Sequence, residues 1–258
     1  MTRLLSAIAL GAVVLAVIFF LPPIVLRVVA CLVAALTARE YLGIVHAQRP
    51  LPGQAPWLLL VAVTCWSMLL PDPNVVLWLL LVAMGCVAIE VLFRGLTVGD
   101  ASLRFFAPFY IGLPLGLLTA VHVRHGHWAT ILLMATVVVS DSAQYYTGRA
   151  FGRRPLAPAI SPKKTIEGAV GGVILAPIFM VFLGLRVLPG VPWTSLAVVG
   201  LAIAIVGICG DLFESRLKRE AGVKDSAAII PGHGGMLDRV DALLFATPVY
   251  YMFLQAVL

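Results

Sequence analysis

Apolar residues run through this chain in long blocks separated by short polar breaks, and the block lengths predict membrane-crossing helices. A helix needs about 20 apolar residues, with a range of roughly 17 to 25, to span the hydrocarbon core. By that measure the sequence holds about nine spans: Leu4 to Leu21, Ile24 to Val45, Trp57 to Leu70, Val75 to Phe93, Phe105 to Val121, Trp128 to Gly148, Ile166 to Leu188, Ser195 to Lys218 and Leu237 to Leu258. The third is short and marks the weakest assignment. Arg3 ahead of the first block resembles a secretory leader, but no small-residue cleavage site follows and Pro22-Pro23 end the run, so an uncleaved helix is expected. The expected fold class is therefore all-α and polytopic, a single membrane domain over residues 1–258. Residues 1–127 supply helices of weak signal, and residues 128–258 carry the chemistry. No internal repeat, low-complexity tract or flexible linker interrupts it.

Composition narrows the class. The chain is 61% hydrophobic and only 12% charged, about half the charged fraction of an ordinary soluble domain, and its mean hydropathy is +1.04. A net charge of +6, spread among several loops, excludes a nucleic-acid-binding stripe. Threading nine spans with the N-terminus in the cytoplasm puts Arg3, Arg49, Arg94, Arg104, the loop from Arg149 to Lys164 and the loop from Arg216 to Lys224 on one side. Only Arg27, Arg124 and Arg186 fall near the other, and that asymmetry makes the two polar loops cytoplasmic. Cys31, Cys65, Cys86 and Cys209 lie inside apolar runs without the short spacing of a zinc site or a disulfide framework, so they read as small buried residues.

Ionisable groups within the spans mark where chemistry is placed. Asp141 and Asp211 each lie seven residues before the inner end of a span, roughly 10 Å into the membrane at 1.5 Å rise per residue. Equal depth predicts one shared polar cavity, because an unpartnered carboxylate in hydrocarbon is expensive. Asp211, Glu214, Ser215 and Lys218 follow at i, i+3, i+4 and i+7 on one helical face. An intrahelical ladder of ion pairs explains that stripe as well as a site does. The next segment adds Pro231-Gly232-His233-Gly234-Gly235 before Asp238, Arg239 and Asp241 at the start of the last span. Glycines let backbone approach a ligand, and a helix N-terminus offers N–H groups to an anion. Asp238 alone reads equally well as an N-cap, but a cap does not account for Arg239, His233 or Lys224-Asp225.

The second polar loop, from Ser140 through Ser161-Pro162-Lys163-Lys164-Thr165 to Glu167-Gly168, combines the same residue types. There is no GxxxxGK[ST] phosphate loop, HExxH zinc site or GxSxG elbow. His122, His125 and His127 fall on the outer side, where a surface loop is the plainer explanation than a metal site. Carboxylates without Cys or His partners suit a hard divalent cation such as magnesium, which takes one or two of them together with substrate phosphates. Lys and Arg nearby would neutralise the remaining phosphate oxygens. The reaction class is phosphoryl or nucleotidyl transfer, in which positioning and electrostatics dominate.

The strings DSAQYYTGRAFGRRPLAPAISPKKTIEG and SRLKREAGVKDSAAIIPGHGGMLDRVD resemble the two signature regions of the phosphatidate cytidylyltransferases, or CDP-diacylglycerol synthases. Ser215, Lys218, Arg219, Lys224, Asp225, Pro231, His233, Gly234, Gly235, Asp238, Arg239 and Asp241 reproduce the family's spaced pattern. The resemblance covers roughly Asp141 to Asp241. It implies transfer of CMP from CTP to phosphatidic acid with release of pyrophosphate, a multi-pass protein of the cytoplasmic membrane with its active site facing the cytoplasm, and a homodimer. It also implies a divalent metal at Asp211 and Asp238.

On charge and position, Asp241 and Asp141 are further candidate ligands for magnesium, with or without a second cation. Lys218, Arg219, Lys224 and Arg239 are expected on the phosphates of CTP or phosphatidate, with Lys218 and Lys224 joining Asp211 and Asp238 in catalysis. His233, Gly234 and Gly235 would cradle one phosphate beside Ser215, and Ser161, Lys163, Lys164 and Thr165 the other. Two rivals are a CTP-dependent kinase of a polyprenol, which releases CDP, and an ion-coupled transporter, whose acids belong nearer the midplane.

Overall fold

The computed structural model describes residues 2–46, 53–72, 74–223, 226 and 234–258, with backbone alone for residues 2–10. Among the described residues nine α-helices follow in order: α1 Thr2–Phe20, α2 Pro23–Val45, α3 Ala55–Ser67, α4 Val75–Arg94, α5 Val98–Ala107, α6 Leu113–Phe151, α7 Ile166–Val187, α8 Trp193–Glu220 and α9 Leu237–Val257. A π-helical turn, Pro108–Gly112, joins α5 to α6. Among the described residues six helical runs are long and apolar enough to cross a membrane. Their outward surfaces carry large apolar side chains such as Phe93, Phe182 and Met252, as lipid contact requires.

The departures from the expected spans have local causes. The third apolar block forms only the 13-residue helix α3, too short to span alone. The fifth and sixth blocks merge into one 54-residue run, Val98–Phe151, bent at Gly126 by a backbone conformation (φ 83°, ψ 174°) outside the helical region. The expected surface loop carrying His122, His125 and His127 is absent, and those residues lie in α6 on either side of that bend. Thr97 starts α5 eight residues earlier than its apolar block, its hydroxyl oxygen accepting the Asp100 N–H at 3.1 Å. The polar connection after α6 contains an antiparallel hairpin, β1 Pro155–Ala157 and β2 Ser161–Thr165, paired Pro155 to Thr165 and Ala157 to Ser161, a small β element beside an otherwise helical fold. Of the four free cysteines only Cys65 is buried; Cys209 is exposed.

The chain divides into two compact units. The first is Met1–Ala120 with Glu220–Asp238, and the second is Val121–Arg219 with Arg239–Leu258. In the first, α2, α3, α5 and the π turn pack together. A Cβ added at Gly112 would lie 2.6 Å from the Val61 carbonyl oxygen, so this contact depends on small residues, as membrane helix contacts do. The Tyr41 hydroxyl donates to the Leu103 carbonyl at 3.0 Å and its ring meets Tyr110 edge-on. Arg27 stacks 3.9 Å from the Trp66 ring and donates to the Trp66 carbonyl. Arg104, expected as a loop charge, is fully buried and donates to Glu90 at 2.7 Å. It serves as the counter-ion of an acid within α4 rather than as an exposed charge.

Removing one partner of a buried ion pair leaves the other uncompensated. Arg104→Ala should therefore cost about 3–5 kcal/mol, read as a lower unfolding temperature in detergent micelles, and the double variant Glu90→Ala/Arg104→Ala should recover part of that loss.

Candidate active site

In the second unit, glycines let helices approach closely enough to bring polar groups together. Where α6 meets α7, a Cβ at Gly168 would lie 2.7 Å from the Gln144 carbonyl oxygen, and one at Gly172 would lie 3.0 Å from the Ser140 carbonyl oxygen. Thr165 closes β2 and caps α7, its hydroxyl oxygen accepting the Gly168 N–H at 3.1 Å. One Glu167 oxygen accepts the N–H groups of Arg153 and Arg154 at 3.0 and 3.2 Å, folding the chain before the hairpin onto the start of α7. Arg219 at the end of α8 donates to the Ile160 carbonyl in the hairpin turn at 3.2 Å. These contacts fix β2, and with it Lys164.

The Lys164 ammonium pairs with Asp211 of α8. Asp141 of α6 and Asp241 of α9 lie near enough to be repelled by Asp211 and drawn to Lys164, and Asp241 is also repelled by Asp141. Gln144 donates to Asp141 at 3.2 Å, and Ser215 lies 3.5 Å from Asp211 on the next helical turn. Asp241 accepts the Ala242 N–H at 2.8 Å. The α8–α9 contact again depends on a glycine, because a Cβ at Gly210 would lie 2.7 Å from the Asp241 carbonyl oxygen. One carboxylate thus pairs with the lysine and two more lie within electrostatic reach of it, a grouping that favours a further cation. Every donor is a hard oxygen, which suits magnesium. Among the described residues no group of three or more Asp, Glu, His or Cys is placed to hold a metal ion; magnesium takes one or two carboxylates when substrate phosphates complete its shell.

The other expected residues divide by what they touch. Lys218 pairs at 2.5 Å with Glu214, a buried residue of the same helix, so that part of the α8 stripe is the intrahelical ladder. The Thr165 hydroxyl is engaged as a cap, Ser161 is paired in the hairpin, and Lys163 and Arg239 are exposed. Lys224 and His233 lie outside the described residues. Asp238 belongs to the first unit, where its Oδ2 accepts from the Ser226 N–H and hydroxyl at 3.2 and 2.8 Å and from the Gly235 N–H at 2.8 Å. Gly234 stands just ahead with φ +75°, a conformation that favours glycine. Glu40 of α2 completes this cluster, accepting the Met236 and Leu237 N–H groups at 2.8 Å each. The Leu237 amide that opens α9, and the Gly235 and Met236 amides before it, therefore donate to protein carboxylates.

Comparison with known proteins shows the family. The family model described as "Cytidylyltransferase family" matches residues 1–257. The chain belongs to the cytidylyltransferase family. Among the curated relatives of this cytidylyltransferase-family chain, the uncharacterized protein YnbB of Escherichia coli K12 is 41% identical over 139 residues, 54% of this chain and 46% of that protein. The phosphatidate cytidylyltransferase of Bacillus subtilis is 37% identical over 160 residues, 61% of this chain and 60% of that protein. That of Brucella suis is 34% identical over 197 residues, 76% of this chain and 71% of that protein. The chain thus spans between 46% and 60% of the length of the first two.

Sequence reasoning did not single out Glu40 and Ser226, which contact Asp238 and its neighbours in the first unit, or Gln144, which donates to Asp141 in the second, and it met Glu167 only as the end of a polar loop. Glu40 carried a legible signal, an acid inside an apolar span, whereas the other three act through folded geometry that no spacing reveals.

Gly210→Ala should force α8 away from α9, at about 1–3 kcal/mol for overpacking, visible as a lower unfolding temperature. Gly207→Ala one turn earlier, whose Cβ would meet only the Ala242 Cβ at 3.7 Å, should leave the unfolding temperature unchanged or raised.

Proposed function

We propose that this protein is a phosphatidate cytidylyltransferase, transferring CMP from CTP to phosphatidic acid to give CDP-diacylglycerol and pyrophosphate. The observation that carries the reading is the convergence of Asp141, Asp211 and Asp241 around Lys164 in a cytidylyltransferase-family chain built of membrane-length helices. A phosphate monoester, with a second pKa of about 6, is largely ionised at neutral pH and needs no strong general base. Its oxygen attacks the α-phosphorus of CTP, the bond from that phosphorus to the bridging oxygen breaks, and pyrophosphate leaves with the electron pair. Repulsion between two anions is the main obstacle.

Lys164 would neutralise phosphate charge from a fixed place at the end of β2, held there by the cap of α7 and the bond from Arg219 to the hairpin. Asp211 and Asp241, with Asp141, would hold magnesium, and the family resemblance adds Asp238 as a ligand. Bound there, the cation supplies charge neutralisation for the nucleotide phosphates and the departing pyrophosphate. Lys218, Arg219, Lys224 and Arg239 would supply further positive charge. Ser161, Lys163 and Thr165 would line the hairpin side of the phosphates, with Ser215, His233, Gly234 and Gly235 on the other. The lipid would approach sideways from the inner leaflet, its head group reaching the carboxylates while its acyl chains stay in the bilayer. The same reading places the membrane-length helices in the cytoplasmic membrane with the N-terminus and polar loops inside, and a homodimer as the assembled form.

Purified protein given labelled CTP and phosphatidic acid in mixed micelles should form labelled CDP-diacylglycerol and pyrophosphate only when magnesium is added. A folded sample that yields no lipid product would sink the proposal, and CDP as product would point to a kinase. Asp211→Asn should lower turnover by at least about a hundredfold, the scale of removing one preorganised electrostatic group, with its helical circular dichroism unchanged. Wild-type turnover in Asp238→Asn would remove Asp238 from the reaction.

A further inference from the structure

Glu40 stands five residues before the end of α2 and is 5% exposed. Its two carboxylate oxygens accept two backbone N–H groups and lie within reach of one hydroxyl, all in residues more than 180 positions away. Oε1 accepts the Met236 N–H at 2.8 Å, and Oε2 accepts the Leu237 N–H at 2.8 Å and lies 2.9 Å from the Ser226 hydroxyl. Those amides belong to the first turn of α9 and the residue before it, where a helix has unsatisfied donors and a positive dipole end. Glu40 thus fills with a side chain the place an anionic ligand would take.

The Ser226 hydroxyl also lies 2.8 Å from Asp238 Oδ2, so it stands between the carboxylates of α2 and α9 and gives its one proton to either. Asp238 in turn accepts the Ser226 and Gly235 N–H groups. Gly235 is enclosed between Ser226 Oγ and Glu40 Oε2 so closely that no Cβ fits. Glu40, Ser226, Gly235 and Asp238 form one closed network in which Asp238 and the entry to α9 are held from α2.

We infer that Glu40, acting through Ser226 and the first amides of α9, is a positioning residue that fixes the Asp238 carboxylate for the reaction. Its catalytic consequence rests on the cytidylyltransferase reading above; its structural consequence does not. The contact of α2 with α3 is made by Arg27, Trp66 and the Cys31 thiol to the Ala62 carbonyl. Among the described residues the bonds of Glu40 go to Ser226 and to the entry of α9.

The test uses the full chain in detergent. Glu40→Gln keeps the size of the side chain but turns one acceptor oxygen into a donor that faces an amide. Hydrogen exchange at Met236 and Leu237 should quicken roughly 10- to 100-fold, the worth of hydrogen bonds to a charged group, while exchange in the middle of α2 and of α9 stays at the wild-type rate. The turnover number should fall at least about tenfold with KM for phosphatidic acid unchanged, since Glu40 touches no substrate, and Glu40→Asp, which keeps the charge, should recover part of it. Wild-type turnover, or wild-type exchange at Met236 and Leu237, in Glu40→Gln would overturn the inference. So would faster exchange spread through α2 and α9 with a lower unfolding temperature, the mark of a residue that merely stabilises. If Glu40→Gln does not fold, Ser226→Ala decides: it should speed exchange at Gly235 and lower turnover, and unchanged values for both would overturn the inference. Wild-type protein that makes no CDP-diacylglycerol would end the functional reading, and the exchange measurements would still judge Glu40.

Discussion

A carboxylate set inside a helix of membrane length has to be answered by a partner, and that single requirement organises both halves of this chain. Glu90 is answered by buried Arg104, Glu214 by Lys218, Asp211 by Lys164, and Glu40 by two backbone amides and a hydroxyl. Apart from Glu214–Lys218, which lies within α8, each answer ties an apolar helix to something specific, where lipid-facing side chains would let it slide. Polar groups in this protein act as the coordinates of the fold, and the apolar surface supplies the medium.

Such pairing requires helices to come closer than ordinary side chains permit. Glycines at 112, 168, 172 and 210 provide the approach, each facing a backbone carbonyl that a Cβ would strike. The hairpin 155–165 solves a different difficulty. A lysine on a helix facing Asp211 would have to be buried along its whole length, whereas Lys164 reaches its partner from the last turn of a strand, its position set by the Thr165 cap and the Glu167 carboxylate. Precision at the lysine therefore comes from elements outside the long helices.

Much of this was legible before any coordinates. Block lengths placed most helices, and the depth of Asp141 and Asp211 pointed to a common polar region because the rise per residue in a helix is fixed. Helix ends were less legible. Thr97 begins α5 within a polar stretch, and Gly126 bends a run that hydropathy divides into two spans. Hydropathy records how apolar a segment is and is silent on where its hydrogen-bond ladder breaks. Arg104 misled for a related reason, since a charge near a block edge looks like a loop residue until its counter-ion is found 14 positions earlier. The bonds of Glu40 to residues 226–237 depend on tertiary closure, which periodicity cannot reach. The bare fact of an acid at position 40 within an apolar run was nonetheless visible.

The Glu40 network also has a history in time. Its acceptor is made early and its donors late, 186 to 197 residues further along the chain. At about 5–20 residues per second during synthesis, α2 waits roughly 10–40 s in the membrane with a carboxylate that has not met its partners. Over that interval the acid has to borrow water or the insertion machinery, and the arrival of α9 is what releases it. A molecule stopped short of Ser226 would therefore keep an unsatisfied carboxylate in α2 as a chemical mark of the missing contact.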